Sequence, residues 1–160
     1  MSNELESRIR KVEDYQAIAN LQAKYSFLVD SLQLEALVDL FDDELVWEVG
    51  FDRMLTVTSK LALLEVLRKT EEATKMMVHM PTTPLIEVDG DQATGAFYLF
   101  GMVTAKTPDG EVAQWVHGTY DNAYVRVGEQ WKFRRLSYRY TFLTPYDEGW
   151  VDTPRAPLWQ

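Results

Sequence analysis

Only two histidines occur in this chain, His79 and His117. His79 sits in the run Met76-Met77-Val78-His79-Met80. Imidazole is the side chain whose ordinary pKa suits proton transfer near neutrality. In apolar surroundings its charged form is disfavoured unless a carboxylate offsets the lost water. The common outcome for such a histidine is a core residue bonded to a backbone carbonyl. The catalytic outcome needs a partner, and Asp30 is the candidate. As a purely structural residue Asp30 would serve a turn. As a partner it would accept a hydrogen bond from one ring nitrogen, fix the tautomer and leave the other nitrogen as a general base. Tyr25 lies five residues earlier, on an apolar stripe. Its ring would ordinarily be core, but inside a pocket its hydroxyl would donate to a substrate oxygen. Arg135 and Arg139 share alternate positions with Trp131 and Phe133. Charges are rarely buried unpaired, so each must meet an acid such as Glu48 or Asp30, or point into a polar part of a cavity. His117, beside Trp115, reads as structural or pocket-lining.

Several chemistries are excluded. There is no cysteine, hence no disulfide, thiolate metal site or cysteine nucleophile. No glycine-rich phosphate loop, HExxH or GxSxG occurs, and the histidine spacing indicates no metal. The net charge of −9 and the lack of a Lys/Arg cluster argue against nucleic acid. No apolar run is long enough to span a membrane, and the charged start MSNELESRIRKVEDY has no signal core. A cytoplasmic location is expected. The expected ligand is small and apolar or uncharged, or else another protein.

The elements that must position these groups follow from periodicity. Leu5, Ile9, Val12, Tyr15, Ile18, Leu21, Tyr25 and Leu28 recur every three or four residues, which predicts one face of a long buried helix. Ser31 is placed to cap a short second helix that turns Leu34, Leu37, Val38 and Phe41 inward. Glu44–Val49 and Arg53–Val57 read as a hairpin. Thr58-Ser59 then caps a third helix with Leu61, Leu64 and Leu67 buried. After Lys75 the period becomes two. Strands are expected near 76–88, 93–105, 111–127 and 130–144, joined by short glycine-bearing turns. Helices first and consecutive hairpins afterwards predict an α+β domain over residues 1–160, with helices packed on a curled antiparallel sheet around a pocket. The aperiodic tail from Tyr146 carries Trp150 and Trp159, which suit docking on the domain, a pocket mouth or a neighbouring subunit.

With these segments in place the chain resembles the SnoaL-like branch of the nuclear transport factor 2-like superfamily. The resemblance rests on Val12-Glu13-Asp14-Tyr15-Gln16-Ala17-Ile18, on Lys24-Tyr25 followed by Asp30, and on His79-Met80 followed by Pro84. It continues through His117-Gly118-Thr119-Tyr120-Asp121-Asn122 and Trp131-Lys132-Phe133 to Arg135-Leu136. Within that branch the chain looks most like scytalone dehydratase, bile acid 7α-dehydratase and γ-hexachlorocyclohexane dehydrochlorinase. These are cone-shaped α+β barrels that work through an Asp–His dyad without metal or organic cofactor.

The resemblance implies a dyad of Asp30 and His79, with Tyr25 and Arg135 as further catalytic groups and Arg139 near the substrate. It departs from scytalone dehydratase at Val29, Val49 and Val103, where that enzyme places two tyrosines and a second histidine. Scytalone is therefore not the expected substrate. The implied activity is a cofactor-independent elimination, or an isomerisation, of an apolar cyclic molecule, aromatic or steroid-like. Trp47, Met54, Met77, Phe97, Met102, Trp115 and His117 are the expected walls. The rival expectation is a non-catalytic binding module or an accessory subunit beside a ring-hydroxylating oxygenase. A homo-oligomer, dimer or trimer, is implied in either case.

Overall fold

A computed structural model describes residues 2–156. Helix α1 (Ser2–Asp30) leads to a short α2 (Leu34–Val38). Strands β1 (Phe41–Gly50) and β2 (Met54–Val57) precede helix α3 (Lys60–Ala73). Four long strands come next: β3 (Thr74–Asp89), β4 (Gln92–Thr107), β5 (Gly110–Val127) and β6 (Gln130–Pro145), with a final turn of helix α4 (Gly149–Asp152). All six strands form one sheet in the order β2-β1-β6-β5-β4-β3. The sheet curls but does not close, so β2 and β3 are its edges. The meander β3 to β6 is antiparallel as expected. The β1–β6 pair is parallel, which the hairpin reading could not show.

Core and helix faces depart from the sequence pattern in instructive ways. On α1 the buried stripe begins only at Asp14 and continues through Ile18, Leu21, Tyr25 and Leu28. Leu5, Ile9, Val12 and Tyr15, expected on the buried face, are exposed. Phe41 is not in α2; it opens β1, fully buried and stacked on Phe133 at 5.1 Å. Ser31 does not cap α2; its hydroxyl donates back to the Phe27 carbonyl at 2.6 Å. Ser59 does cap α3, accepting from the Ala62 N–H at 3.2 Å. On α3 the buried leucines are Leu63 and Leu67, while Leu61 is exposed.

The end of α1 fixes where Asp30 sits. Leu32 takes φ 55°, the left-handed conformation that glycine ordinarily supplies after a helix. Gln33 N–H donates to the Leu28 carbonyl at 2.9 Å and Leu32 N–H to Val29 at 3.2 Å, the paired bonds of a Schellman stop. This stop ends the helix on Asp30 and turns the chain away at once.

Two bulges set the faces of β6. Ala123 pairs with Arg135 but Tyr124 with Phe133, so Arg134 is an extra residue; Thr141 is extra in the same way. Each bulge shifts the alternation by one. The inward face therefore runs Trp131, Phe133, then Leu136, Tyr138, Tyr140, then Leu143.

The described tail docks on β6. Trp150 stacks on Phe142 at 5.2 Å, and Ala156 N–H donates to Leu143 at 2.7 Å. Trp159 lies outside the described residues.

Candidate active site

The helix stop and the first long strand bring Asp30 and His79 together. Asp30 Oδ1 lies 2.6 Å from His79 Nδ1, and Asp30 Oδ2 accepts the His79 backbone N–H at 2.9 Å. One carboxylate thus holds both the ring and the main chain of the same residue. With Nδ1 carrying the proton toward Asp30, Nε2 is left as the basic atom. Both side chains are partly buried, 23% and 18% exposed, so their attraction is only partly screened by water.

His79 borders a cavity of about 80 Å³ inside the curl of the sheet. Its walls include Val29, Val49, Leu67, Leu99, Val103, Val116 and Leu136, mostly apolar. Trp47 and Met77 are also on the wall. Ligand clefts usually measure about 300–1,000 Å³. A steroid-sized molecule is therefore too large for the cavity as it stands.

The polar groups of this wall are mainly phenols: Tyr25, Tyr120, Tyr138 and Tyr140. Tyr25 accepts from Trp47 Nε1 at 3.3 Å, so its own proton is free to be donated. Burial pushes the Tyr25 phenol up to about 12, with the Asp30 charge adding to the effect. Burial also raises Tyr120, Tyr138 and Tyr140 well above the ordinary range. All four are neutral donors at working pH.

Other expected residues lie elsewhere. Arg135 is on the opposite face of β6, where its guanidinium donates to Glu48 at 2.8 and 3.0 Å and to Asp121 at 3.3 Å. The bulge at Arg134 is the reason: unbroken alternation would have kept Arg135 in phase with Phe133. Arg139 is exposed and donates to the Phe51 carbonyl at 2.8 Å. Phe97 is buried in the core. Met102 and Trp115 pair across β4 and β5 on the convex face, because the inward residues of β4 are the odd-numbered ones. His117 shares that face, stacked between Tyr98 at 5.8 Å and Phe142 at 5.5 Å. Neither Met54 nor any of these lines the cavity.

Tyr120, Tyr138 and Tyr140 were missed by sequence reasoning. A signal existed for Tyr138 and Tyr140, which alternate with Leu136, but the bulge concealed that this phase faces inward. Among the described residues no three metal-ligating side chains converge, and no helix is long and apolar enough to cross a membrane. A wider groove of about 860 Å³ runs beside Asp14, Lys24, Asp39, Arg126 and Lys132. It is open and charged, and remote from the dyad in its lining.

The sequence matches the SnoaL-like domain over residues 10–137. The chain belongs to the SnoaL-like family. No curated protein matches it. Among solved structures it is similar to LinA, with TM-score 0.79 and 18% identity over 95% of this chain and 99% of that one. Hexachlorocyclohexane dehydrochlorinase LinA-type3 from Novosphingobium barchaimii superposes with TM-score 0.76 and 21% identity over 86% and 93%. A protein provisionally named scytalone dehydratase from Novosphingobium aromaticivorans gives TM-score 0.76 and 20% identity over 94% and 97%. At these identities the SnoaL-like chain shares their fold, the α+β nuclear transport factor 2-like architecture.

Proposed function

We propose that this SnoaL-like chain is a cofactor-independent lyase acting on a small, apolar, cyclic molecule. The observation that carries the reading is His79 on the cavity wall with Asp30 behind its Nδ1. His79 Nε2 removes a proton from carbon next to an activating group. The electron pair moves to form a double bond as a leaving group departs from the adjacent carbon. Asp30 stabilises the imidazolium that results. Tyr25 donates to an oxygen of the substrate as charge develops there. Isomerisation begins with the same proton abstraction and ends with the proton returned to a different carbon. The dehydrochlorinase and dehydratase names among the structural neighbours support the elimination reading.

The test uses 3-hydroxycyclohexanone, whose dehydration gives cyclohex-2-enone with a new ultraviolet absorption. The protein is expected to accelerate that dehydration. His79→Gln is expected to lower the rate by about a hundred- to ten-thousand-fold. A His79→Gln variant as fast as the parent protein sinks the proposal.

The small cavity favours a second reading, a binding or accessory subunit with no chemistry of its own. Recovery of a large iron-bearing oxygenase chain with the protein, together with no turnover of ring substrates, would select it. Exposed Tyr98, Phe100 and Trp150 on the convex side support self-association in either reading. Light scattering in solution reads the number of subunits.

A further inference from the structure

Helix α1 carries two apolar faces. Ile18, Leu21, Tyr25 and Leu28 belong to the core. Leu5, Ile9 and Val12 point the other way: Val12 and Leu21 are about two and a half turns apart, at about 3.6 residues per turn, and so lie on opposite sides of the helix. The outer face has a register of its own. Leu5, Val12 and Ala19 recur every seven residues, and Ile9, Gln16 and Ala23 do the same between them. Alternating steps of four and three are the spacing that keeps one stripe of a helix turned toward a partner helix. Every described residue from Glu4 to Glu13 is exposed, Val12 by 69%, and Phe27 prolongs the outer face at 76%. A helical stretch of that length with no packing is marginal in water, so a partner would stabilise it. From Leu5 to Ala23 the stripe runs about 27 Å, at about 1.5 Å per residue. Toward the domain it narrows to Ala19 and Ala23, both half-buried, whose small side chains let a second helix come close.

Charge decides what that second helix is. Arg8 and Glu13 flank the stripe on opposite sides, and neither has an ion pair or hydrogen bond within the chain among the described residues. In a parallel helix pair, a side chain flanking the seam meets the opposite flank of the partner roughly five residues on. Arg8 of one copy then meets Glu13 of the other, and the two-fold symmetry makes the contact twice. An antiparallel pair brings like flanks together and loses this match. We propose that the outer face of α1 docks the same face of a second copy of this chain, the two helices parallel and in register. Gln16, the one polar side chain on the stripe, meets its own copy there, which fixes the register. This surface is separate from the convex side of the sheet that carries Tyr98 and Phe100.

The chain has no cysteine, so a single introduced thiol reports on one contact. Val12→Cys places a thiol on the seam, and Ser7→Cys places one on the far side of the same exposed stretch. In the full chain under mild oxidation, Val12→Cys is expected to form a disulfide-linked dimer at least about tenfold faster, since only a parallel pair in register brings its two copies within disulfide reach. Equal rates overturn the proposal, including the case in which copies associate only through the convex side. The charge match is tested with two chains that both carry Val12→Cys, one with Arg8→Glu and the other with Glu13→Arg. Each repels itself and attracts the other. After mixing and oxidation, mass spectrometry is expected to find mixed dimers in about tenfold excess over the statistical proportion, because two matched pairs replace two repelling ones. A statistical mixture overturns the parallel pairing.

Discussion

Asp30 holds His79 at two points, the ring Nδ1 at 2.6 Å and the backbone N–H at 2.9 Å. The first contact orients the imidazole and the second ties the end of α1 to β3. A single carboxylate therefore links the helix layer to the strand that carries the proposed base. The two contacts predict separable effects.

Asp30→Asn is expected to keep much of the tie but remove the charge that stabilises imidazolium. Turnover of 3-hydroxycyclohexanone should fall by about a hundredfold or more. Asp30→Ala should in addition leave the His79 N–H unpaired and destabilise the fold by about 1–3 kcal/mol in urea unfolding. Full turnover in Asp30→Asn would mean that the charge has no part in the reaction.

Arg135 provides the contrast. It is bonded to Glu48 and Asp121 outside the cavity, with a side chain 40% exposed. Exposed ion pairs contribute about 0–1 kcal/mol. Arg135→Met is expected to change unfolding free energy by no more than that and to leave turnover within about threefold, well under the general-base effect. A hundredfold loss of turnover would return Arg135 to the chemistry.

Alkaline pH tests the buried phenols. Tyr25 is pushed up to about 12 in the fold by burial, against about 10 in the unfolded chain. The folded state therefore holds this proton where the unfolded state has lost it. Its contribution is fully present below about pH 10 and is lost as pH rises through 10 toward 12. Tyr25→Phe should show a shallower fall in stability over that window, read by chemical denaturation at fixed pH values. Parallel curves for the two proteins would contradict the burial argument.

Gly118 tests the packing behind Tyr138. A Cβ there would meet the Arg139 carbonyl oxygen at 2.3 Å and the Tyr138 hydroxyl at 2.6 Å. The first neighbour is backbone and has little room to yield. Gly118→Ala is expected to destabilise the fold by about 1–3 kcal/mol, as overpacking does, measured by thermal or urea unfolding. An unchanged midpoint would show that the strands can part without cost.

Much of this protein was determined by its sequence alone. The three- and four-residue recurrence from Ile18 to Leu28 marks α1, and the period-two runs after Lys75 mark the meander, because side-chain direction follows backbone repeat locally. Residue chemistry could nominate Asp30 as the partner of His79 but could not bring the two together, since 49 residues separate them and a helix stop at Leu32 decides where Asp30 sits. The faces of β6 were decided by tertiary structure. Alternation from Trp131 predicts Arg135 inside and Tyr138 outside, and the extra residue Arg134 exchanges them. A bulge has no signature in a single strand, because it is a mismatch in length between two strands. The exposed start of α1 was likewise undecided by its apolar pattern, since burial there depends on what packs against it. Cavity size belongs to the same class: it is what remains after side chains from several helices and strands have met, and no one segment encodes it.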